Sequence, residues 1–195
     1  MLKIGITGGI GSGKTTASKI LKRKMNAYLF DADKEAKSHL LSSLPLQNKL
    51  INIFGQDLKG ENGRLNPKQL AKYAFENESN QQILNGILWP EVFILIDEAM
   101  KSAEEEEIST FIVDAALLIE AGLNHQFDKI ILITAPEEIR ITRALRRKNL
   151  SMKQINKRAS LQWSDEKKRI HADIIIENDG TTDKLHKRLI RALKL

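Results

Sequence analysis

The residues best suited to chemistry lie at positions 8–15, which read Gly-Gly-Ile-Gly-Ser-Gly-Lys-Thr. They match the phosphate-loop pattern, in which a glycine is followed by four variable residues, Gly-Lys and then Ser or Thr. Glycines let the backbone take positive φ values and approach a ligand closely, so that successive N–H groups point into one concavity. We therefore predict that this loop binds a polyphosphate.

The sequence on each side of the loop predicts further contributions to phosphate binding. The apolar run at 2–6 predicts a strand before the loop, and residues 16–25 predict a helix that opens at Lys14. Such a helix adds amide donors and the positive end of its dipole, while Lys14 reaches the β- and γ-phosphates and the Thr15 hydroxyl ligates Mg²⁺. This context distinguishes the motif from a glycine-rich turn that carries a lysine by chance.

Two carboxylates that could act on a bound nucleotide follow the next apolar run. Asp31 and Asp33 come directly after residues 27–30. In parallel α/β sheets, residues just beyond a strand's carboxyl end face the ligand-binding crevice. Phosphoryl transfer needs a group that orients the acceptor hydroxyl or takes its proton, and Asp33 is our candidate for this base. Asp31 is the alternative base, and capping of the next helix is the simpler role for either residue.

A third aspartate, Asp114, ends the apolar run that begins at Thr110. In one interpretation it takes the place of a Walker-B carboxylate and contacts Mg²⁺ through water. In the other it caps the N-terminus of a helix at 115–121. Both roles are ordinary for an aspartate at the end of a strand, so the sequence leaves them open.

The elements needed to position these residues alternate along the chain. Strands are predicted at 2–6, 27–30, 110–114, 129–134 and 174–176, and a last helix at 182–193. Strands that alternate with helices predict an α/β fold with a doubly wound, five-stranded parallel sheet.

The segment at 34–107 is longer than an ordinary crossover between strands, and it is mostly helical and polar in character. Turn-forming residues interrupt it at 54–67, and Pro90 predicts a helix boundary or a kink. We therefore predict a single domain with three parts. These are a core (1–33, 108–138 and 171–195), a helical substrate-binding insertion (34–107) and a helical lid (139–170).

Positive charge is concentrated in one segment. The chain carries a formal net charge of +6, and residues 140–169 contain eleven Lys or Arg residues against Asp165 and Glu166. A local positive field suits an anionic nucleotide and an anionic co-substrate. The arginines of 140–158 are either the exposed faces of two helices or part of a mobile lid that closes over ATP. Because only 5% of residues are aromatic and no binding motif is recognised, we predict no nucleic-acid partner.

Composition and spacing exclude several other classes of protein. The absence of cysteine rules out a disulfide framework and is typical of a reducing compartment, so we predict a cytoplasmic protein. No apolar run approaches the roughly 20 residues of a membrane helix, so we predict no membrane contact. The four histidines lack metal-ligand spacing, and residues 156–159 lack the aspartate of the base-reading motif of GTPases.

Taken together, the motifs resemble the dephospho-CoA kinase family over nearly the whole chain. The resemblance rests on ITGGIGSGKTT at 6–16, DAD at 31–33, LLIE at 117–120, and Ala172-Asp173 followed by Asn178 and Gly180. It implies a fold of the P-loop kinase type whose insertion binds CoA. It also implies transfer of the γ-phosphate of ATP to the 3′-hydroxyl of dephospho-CoA, the final step of coenzyme A synthesis.

The resemblance implies roles for individual residues as well. ATP would be bound by the end of the phosphate loop and the helical turn after it, namely Gly11, Ser12, Gly13, Lys14, Thr15 and Thr16. The other implied assignments are a base (Asp33), a catalytic lysine (Lys14), lid arginines (Arg143 and Arg147) and contacts near the adenine (Asn178 and Gly180). Mg²⁺ would accompany ATP, with Thr15 as its ligand.

Three departures from the family pattern concern substrate contacts. Residues 65–67 read Leu-Asn-Pro where the family often has leucine, aspartate and arginine, which leaves Arg64 and Lys68 as candidates to replace the missing arginine. Trp89 stands where histidine is usual, and Ala116 stands where proline is usual. These differences affect details of substrate binding more than the reaction.

Two alternative functions accompany this interpretation. One is a nucleoside or nucleotide kinase on the same fold, and the other is a basic, nucleic-acid-binding ATPase whose binding would depend on salt. For partners, we predict the small-molecule substrate dephospho-CoA and a monomeric enzyme, with a homo-oligomer as the alternative.

Overall fold

The computed structural model of the chain describes residues 1–146 and 151–195. Within them the backbone forms two compact units. The first unit combines Met1–Ala32 with Ile96–Leu195, and the second comprises Asp33–Leu95.

The strands of the first unit form one sheet. They are β1 (Leu2–Thr7), β2 (Tyr28–Asp31), β3 (Thr110–Asp114), β4 (Lys129–Thr134) and β5 (Ile174–Glu177). Their order is β2-β3-β1-β4-β5, and every neighbouring pair is parallel. The predicted five-stranded parallel sheet is confirmed, and each strand lies within one residue of its predicted bounds.

Helices account for most of the remaining described residues. They are α1 (Lys14–Met25), α2 (Ala32–Ser42), α3 (Leu44–Phe54), α4 (Pro67–Ala74), α5 (Glu78–Glu105), α6 (Glu137–Arg146), α7 (Met152–Ser160), α8 (Asp165–Arg169) and α9 (Thr182–Leu193). Short 3-10 turns occur at Gln56–Leu58 and Leu123–Gln126. The last helix has the bounds that the sequence predicts.

Apolar side chains bury the sheet on both faces. Ile4 and Ile6 of β1 are completely buried and belong to a cluster that includes Leu21 of α1 and Leu189 of α9. Gly5, between them, faces the other side, where a Cβ would lie 2.8 Å from side-chain atoms of Ile130 in β4 and of Leu118 in the segment after β3. Burial on both faces explains why these strands appear in the sequence as nearly continuous apolar runs.

The second unit has an apolar core of its own. Leu50 and Ile51 of α3 cluster with Leu58 and with Leu70 of α4, and the first three of these side chains are at most 1% exposed. Helices of this unit therefore pack on one another rather than depending on the sheet for their burial.

Asn66 and Pro67, where the chain departs from the family pattern, begin α4. The Asn66 Oδ1 accepts a hydrogen bond from the Lys68 N–H at 3.0 Å, and Pro67 is the first helical residue. An asparagine cap followed by proline is a favourable helix start, because the cap satisfies a free donor and proline lacks one. These two residues thus have a structural role here.

The predicted helix at 115–121 is wrong. The described residues 115–121 form turns instead of the expected helix, and the Ala116 carbonyl accepts hydrogen bonds from the Thr7 hydroxyl at 3.2 Å and Lys168 Nζ at 2.9 Å. A carbonyl bound to distant residues favours turns over a continuous helical ladder. Pro90 lies inside α5, so the boundary is the wrong one of its two predicted alternatives and the kink stays a prediction.

None of the helices in residues 1–146 and 151–195 combines the length and the apolar character that a membrane span requires. The division into core, substrate-binding insertion and lid assigns functions to parts of the chain, and it stays a prediction.

Candidate active site

The phosphate loop follows the central strand of the sheet. β1 lies between β3 and β4, and it ends at Thr7, immediately before the loop. The connection from β1 to β2 therefore runs toward one edge of the sheet, and the connection from β3 to β4 runs toward the other edge. In open α/β sheets, ligands bind beyond the carboxyl ends of the strands at such a switch point.

The helix after the loop begins without a side-chain cap. Gly13 caps α1 in the left-handed conformation (φ 94°, ψ 17°), and no side-chain hydrogen bond from the described residues caps this end. The first turn of α1 also contains no acidic residue. The positive end of the helix dipole therefore has neither a side-chain cap nor an acidic side chain in the first turn to offset it, an arrangement that favours an anion.

Packing as well as conformation requires two glycines of the loop. Gly11 has a φ of 77°, and a Cβ at this position would overlap the main chain of Arg140 in α6. A Cβ on Gly8 would overlap the main-chain oxygen of Ile133 in β4. Main-chain atoms cannot move aside as a flexible side chain does, so the loop fits this position only with glycine at both places.

Ser12 connects the loop to the segment after β5. Its side chain is 1% exposed, and its Oγ has no hydrogen-bond partner among the described residues. Its main-chain oxygen accepts a hydrogen bond from Asn178 Nδ2 at 2.7 Å. Asn178 is itself 6% exposed. The bond fixes the phosphate loop against the residues that follow β5.

Arg143 of α6 joins this group of predicted site residues. Its Nη1 donates to the main-chain oxygen of Asn178 at 2.8 Å, and its Nη2 donates to that of Gly180 at 3.0 Å. A guanidinium presents several donors in a rigid plane, so two such bonds fix the backbone from 178 to 180. The structure therefore brings Arg143, Asn178, Gly180 and Ser12 together.

Lys14 forms an ion pair with Asp114, which connects the phosphate loop to β3. The Asp114 side chain is 1% exposed, and that of Lys14 is 11% exposed. Because no helix follows Asp114, its predicted alternative as a helix N-cap is wrong. The buried carboxylate instead positions the ammonium group of Lys14.

The oxygen donors near the start of α1 fit a magnesium ion. Thr15 is half-buried and Thr16 is exposed in the first turn, and Asp114 lies beside Lys14. Among residues 1–146 and 151–195, no three or more His, Cys, Asp and Glu side chains group closely enough to hold a metal. Mg²⁺ is usually bound by one or two protein oxygens together with phosphates and water, which agrees with so few donors.

The two candidate bases lie in different elements. Asp31 ends β2, in register with Asp114 on β3, and it belongs to the first unit. Asp33 is an exposed residue in the first turn of α2 and belongs to the second unit. A carboxylate in a first helical turn is favourable to the helix, so this position is consistent with a structural role as well as with catalysis.

A cavity of about 680 Å³ adjoins the phosphate loop at Ile10. Arg140 lies in its wall, with its guanidinium where a Cβ on Gly9 would stand and 3.8 Å from Asp165 Oδ1. The pKa of the Asp165 carboxyl is raised above its ordinary value because the effect of burial exceeds the opposing effect of the Arg140 charge. In the sequence, Arg140 is distinguished only as one of the basic residues of the segment at 140–158. The predicted lid arginine Arg147 lies outside the described residues.

Gln162 contacts the phosphate loop, although no motif in the sequence indicates this contact. Its Oε1 accepts a hydrogen bond from the Ile10 N–H at 3.1 Å. It lies between α7 and α8, inside the segment predicted as a lid, but it belongs to no recognised motif. Its place inside the predicted lid segment is its only sign in the sequence.

Comparison with known proteins connects this site to one family. Residues 2–184 match the family model for dephospho-CoA kinase. The dephospho-CoA kinase of Salinibacter ruber is 37% identical over 188 residues, which is 96% of this chain and 94% of that protein. The dephospho-CoA kinase of Chlamydia felis is 36% identical over 190 residues, which is 97% of this chain and 93% of that protein.

A solved structure agrees with these relatives. The structure of the dephospho-CoA kinase from Campylobacter jejuni matches 98% of this chain and 95% of that chain, with a TM-score of 0.67 and 26% identity. The similarity in sequence and in structure therefore extends over almost the whole chain.

Proposed function

The chain belongs to the dephospho-CoA kinase family, and from this premise we propose how its residues carry out the reaction. The activity is ATP-dependent phosphoryl transfer to an alcohol. The γ-phosphate of ATP passes to the 3′-hydroxyl of dephospho-CoA, which gives coenzyme A and ADP. The fold is that of a P-loop kinase, ATP is the co-substrate and the acceptor is a small molecule.

The phosphate loop and the first turn of α1 hold the triphosphate of ATP in this proposal. The contributing residues are Gly11, Ser12, Gly13, Lys14, Thr15 and Thr16. The uncapped start of α1 and the positive φ values of Gly11 and Gly13 support it, because together they present several N–H groups to an anion.

Lys14 stabilises the negative charge that develops on the transferring phosphate. Its ion pair with the buried Asp114 supports this role, because a fixed partner holds the ammonium group in place without a cost of reorganisation during the reaction. Positioning and electrostatic stabilisation are the main contributions that a protein makes to phosphoryl transfer.

Asp33 acts as the base. It takes the proton of the acceptor hydroxyl while the oxygen forms a bond to the γ-phosphorus, and the bond from that phosphorus to the β,γ-bridging oxygen breaks as ADP leaves. The exposure of Asp33 and its position two residues after β2 support this role. Asp31 is the alternative base.

Thr15 and Asp114 are the residues that would hold Mg²⁺. When bound, the ion would neutralise charge on the phosphates. A graded pair of variants tests the assignment: Thr15→Ser keeps the hydroxyl and should keep the magnesium requirement, whereas Thr15→Val should raise the Mg²⁺ concentration for half-maximal activity. An unchanged requirement in Thr15→Val would remove Thr15 from the metal site.

The residues after β5 lie beside the adenine in this proposal. Arg143 fixes Asn178 and Gly180 through their main-chain oxygens, which supports a shaped backbone surface for the base. Arg143 and Arg147 belong to a lid that excludes water, which a kinase needs in order to avoid hydrolysing ATP.

One observation carries the proposal. The phosphate loop packs closely against β4, α6 and Asn178, and it leads directly into a helix that has no side-chain cap. The test is mass spectrometry of dephospho-CoA after incubation with the protein, ATP and Mg²⁺. We expect the mass to rise by one phosphoryl group, located on the 3′-hydroxyl by fragmentation.

A panel of acceptors separates the alternatives. Dephospho-CoA should support ADP release, and nucleosides and nucleotides should not. Phosphorylation of a nucleoside with no reaction on dephospho-CoA would overturn the residue assignments above. The cytoplasmic location and the monomeric state expected from the sequence stay predictions.

A further inference from the structure

Glu120 and Lys168 form a buried ion pair that the proposed reaction does not use. The Lys168 side chain is 0% exposed, that of Glu120 is 7% exposed, and Nζ lies 3.0 Å from Oε1. Removing two charges from water is costly, and an apolar pair of similar volume is often at least as stable. The pair is therefore poorly explained by stability, and its connections to neighbouring groups indicate another role.

One connection leads from Glu120 to Ile10 of the phosphate loop. The Glu120 Oε1 also accepts a hydrogen bond from the Trp163 N–H at 3.1 Å. The preceding residue, Gln162, accepts the hydrogen bond from the Ile10 N–H. One carboxylate oxygen thus fixes the main chain one residue away from the contact with the loop.

A second connection leads from Lys168 to the start of the same loop. Lys168 Nζ donates to the main-chain oxygen of Ala116 at 2.9 Å, and the Thr7 hydroxyl donates to the same oxygen at 3.2 Å. Thr7 is the last residue of β1, directly before Gly8. The ion pair is therefore connected to Thr7, which precedes the loop, and through Gln162 to Ile10 within it.

Neither charged group lies in the wall of the cavity beside Ile10, whereas Gln162 and Trp163 both do. Any effect of the pair on a ligand must therefore pass through these neighbours. Glu120 and Lys168 are positioning residues in this sense, and a bound nucleotide would contact the loop rather than the pair.

We propose that the Glu120–Lys168 pair positions the phosphate loop for nucleotide binding by holding Gln162 against Ile10. The proposal rests on the proposed function only in taking ATP as the ligand of the loop. Loss of the pair releases the segment at 162–163, and the loop then loses the hydrogen bond that holds it at Ile10. Binding of ATP should then weaken, while the contacts of the acceptor should not change.

The first test replaces both charges at once with Glu120→Met/Lys168→Met, because removing Lys168 alone leaves an unpaired buried carboxylate that can prevent folding. We expect the KM for ATP to rise about tenfold and the KM for dephospho-CoA to change less than about twofold. Hydrogen exchange at the Ile10 amide should accelerate. The matched control, Asp97→Asn/Lys101→Met, removes an exposed ion pair of α5 and should leave all three values unchanged.

A second variant keeps the proposal testable if the double variant does not fold. Gln162→Met removes the contact with Ile10 and leaves the buried pair in place, so it should raise the KM for ATP by a similar factor. Combined with the double substitution, it should produce little further rise, because both changes interrupt the same connection. The proposal would be overturned if the increases in the KM for ATP multiplied when the substitutions were combined. It would also be overturned if the double variant folded and showed unchanged ATP binding and unchanged exchange at Ile10.

The readouts also separate this proposal from the function. If the wild-type protein does not phosphorylate dephospho-CoA, the proposed function fails. ATP binding, followed with a fluorescent ATP analogue, and exchange at Ile10 would still decide whether the pair positions the loop. If the pair were purely structural, its removal would lower the midpoint of thermal unfolding but would not change the KM for ATP more than the KM for dephospho-CoA.

Discussion

Lys14, the first residue of α1, forms an ion pair with Asp114, the last residue of β3. The two residues are 100 positions apart in the sequence, and β3 is the direct neighbour of the strand that leads into the phosphate loop. The carboxylate is almost completely buried, so the lysine has a fixed partner that water does not screen.

We expect Lys14→Met and Asp114→Asn each to lower kcat by about 10²- to 10³-fold, the usual effect of removing a group that stabilises developing charge. Because the two side chains are in contact, the kcat of the double variant should be only slightly lower than that of the less active single variant. Steady-state kinetics of the three variants form the cycle. Losses that multiply would mean that Asp114 does not act through Lys14.

Asp33→Asn should lower kcat by about 10²- to 10⁴-fold, because an amide cannot accept the proton of the acceptor hydroxyl. The affinity for ATP should stay near that of the wild type. Asp31→Asn is the matched control and should keep most of the activity. The reverse pattern, with an active Asp33→Asn and an inactive Asp31→Asn, would assign the base to Asp31.

Arg143→Lys should raise the KM for ATP about tenfold, since a lysine ammonium cannot reproduce the two planar bonds to Asn178 and Gly180. The KM for dephospho-CoA should not change. Arg191→Lys, on the exposed side of α9, is the control and should behave as the wild type. Equal rises in both KM values would indicate a general loss of structure instead.

Gly11→Ala should destabilise the protein by about 2 kcal/mol or more, because alanine is strained at a positive φ and its Cβ would overlap the main chain of Arg140. Gly86→Ala is the contrasting variant. Gly86 lies in α5, and apart from its chain neighbours and its own helix backbone no described atom lies within 4 Å of a new Cβ, so alanine should stabilise the helix by about 0.5–1 kcal/mol. Urea unfolding of both variants measures the difference.

Asp179→Asn should lower stability at neutral pH and have less effect in acid. The Lys184 ammonium, followed by the Arg188 guanidinium, holds the pKa of the Asp179 carboxyl below its ordinary value. A carboxyl with a lowered pKa in the folded state stabilises the protein above its ordinary pKa of about 4, and this contribution is lost as the pH falls through the lowered value.

Thermal unfolding of the wild type and Asp179→Asn at several pH values between 7 and 3 tests this expectation. The gap between the two midpoints should be largest near pH 7 and should narrow toward pH 3. Glu61→Gln, an exposed residue of the second unit, serves as the control and should show no such narrowing. A gap that stays constant with pH would exclude the charge of Asp179 as the cause.

The strands and the phosphate loop could be predicted because their signals are local. In β4, every residue from Ile130 to Thr134 is buried, so the apolar run in the sequence directly reflects the parallel sheet. The glycine spacing of the loop is equally local, since Gly11 and Gly13 need positive φ wherever such a loop occurs.

The contacts that surround the loop could not be predicted, because they join distant parts of the chain. The bond between Ile10 and Gln162 spans 152 positions, and the bond between Lys168 and Ala116 spans 52. Nothing near Lys168 in the sequence distinguishes it from the other basic residues of its segment. The same long-range bond to Ala116 also explains why the local pattern at 115–121 predicted a helix wrongly.

β1 runs for six residues from Leu2 to Thr7, a span of about 20 Å, and the phosphate loop leaves from its far end. The Leu2 N–H donates to the Ser109 oxygen at 2.8 Å, which anchors the near end as well. The exposed Met1 is thereby kept at the opposite end of β1 from the loop. Protein attached to a sensor chip or a bead through residue 1 should present the edge of the sheet that carries the phosphate loop to the flowing solution.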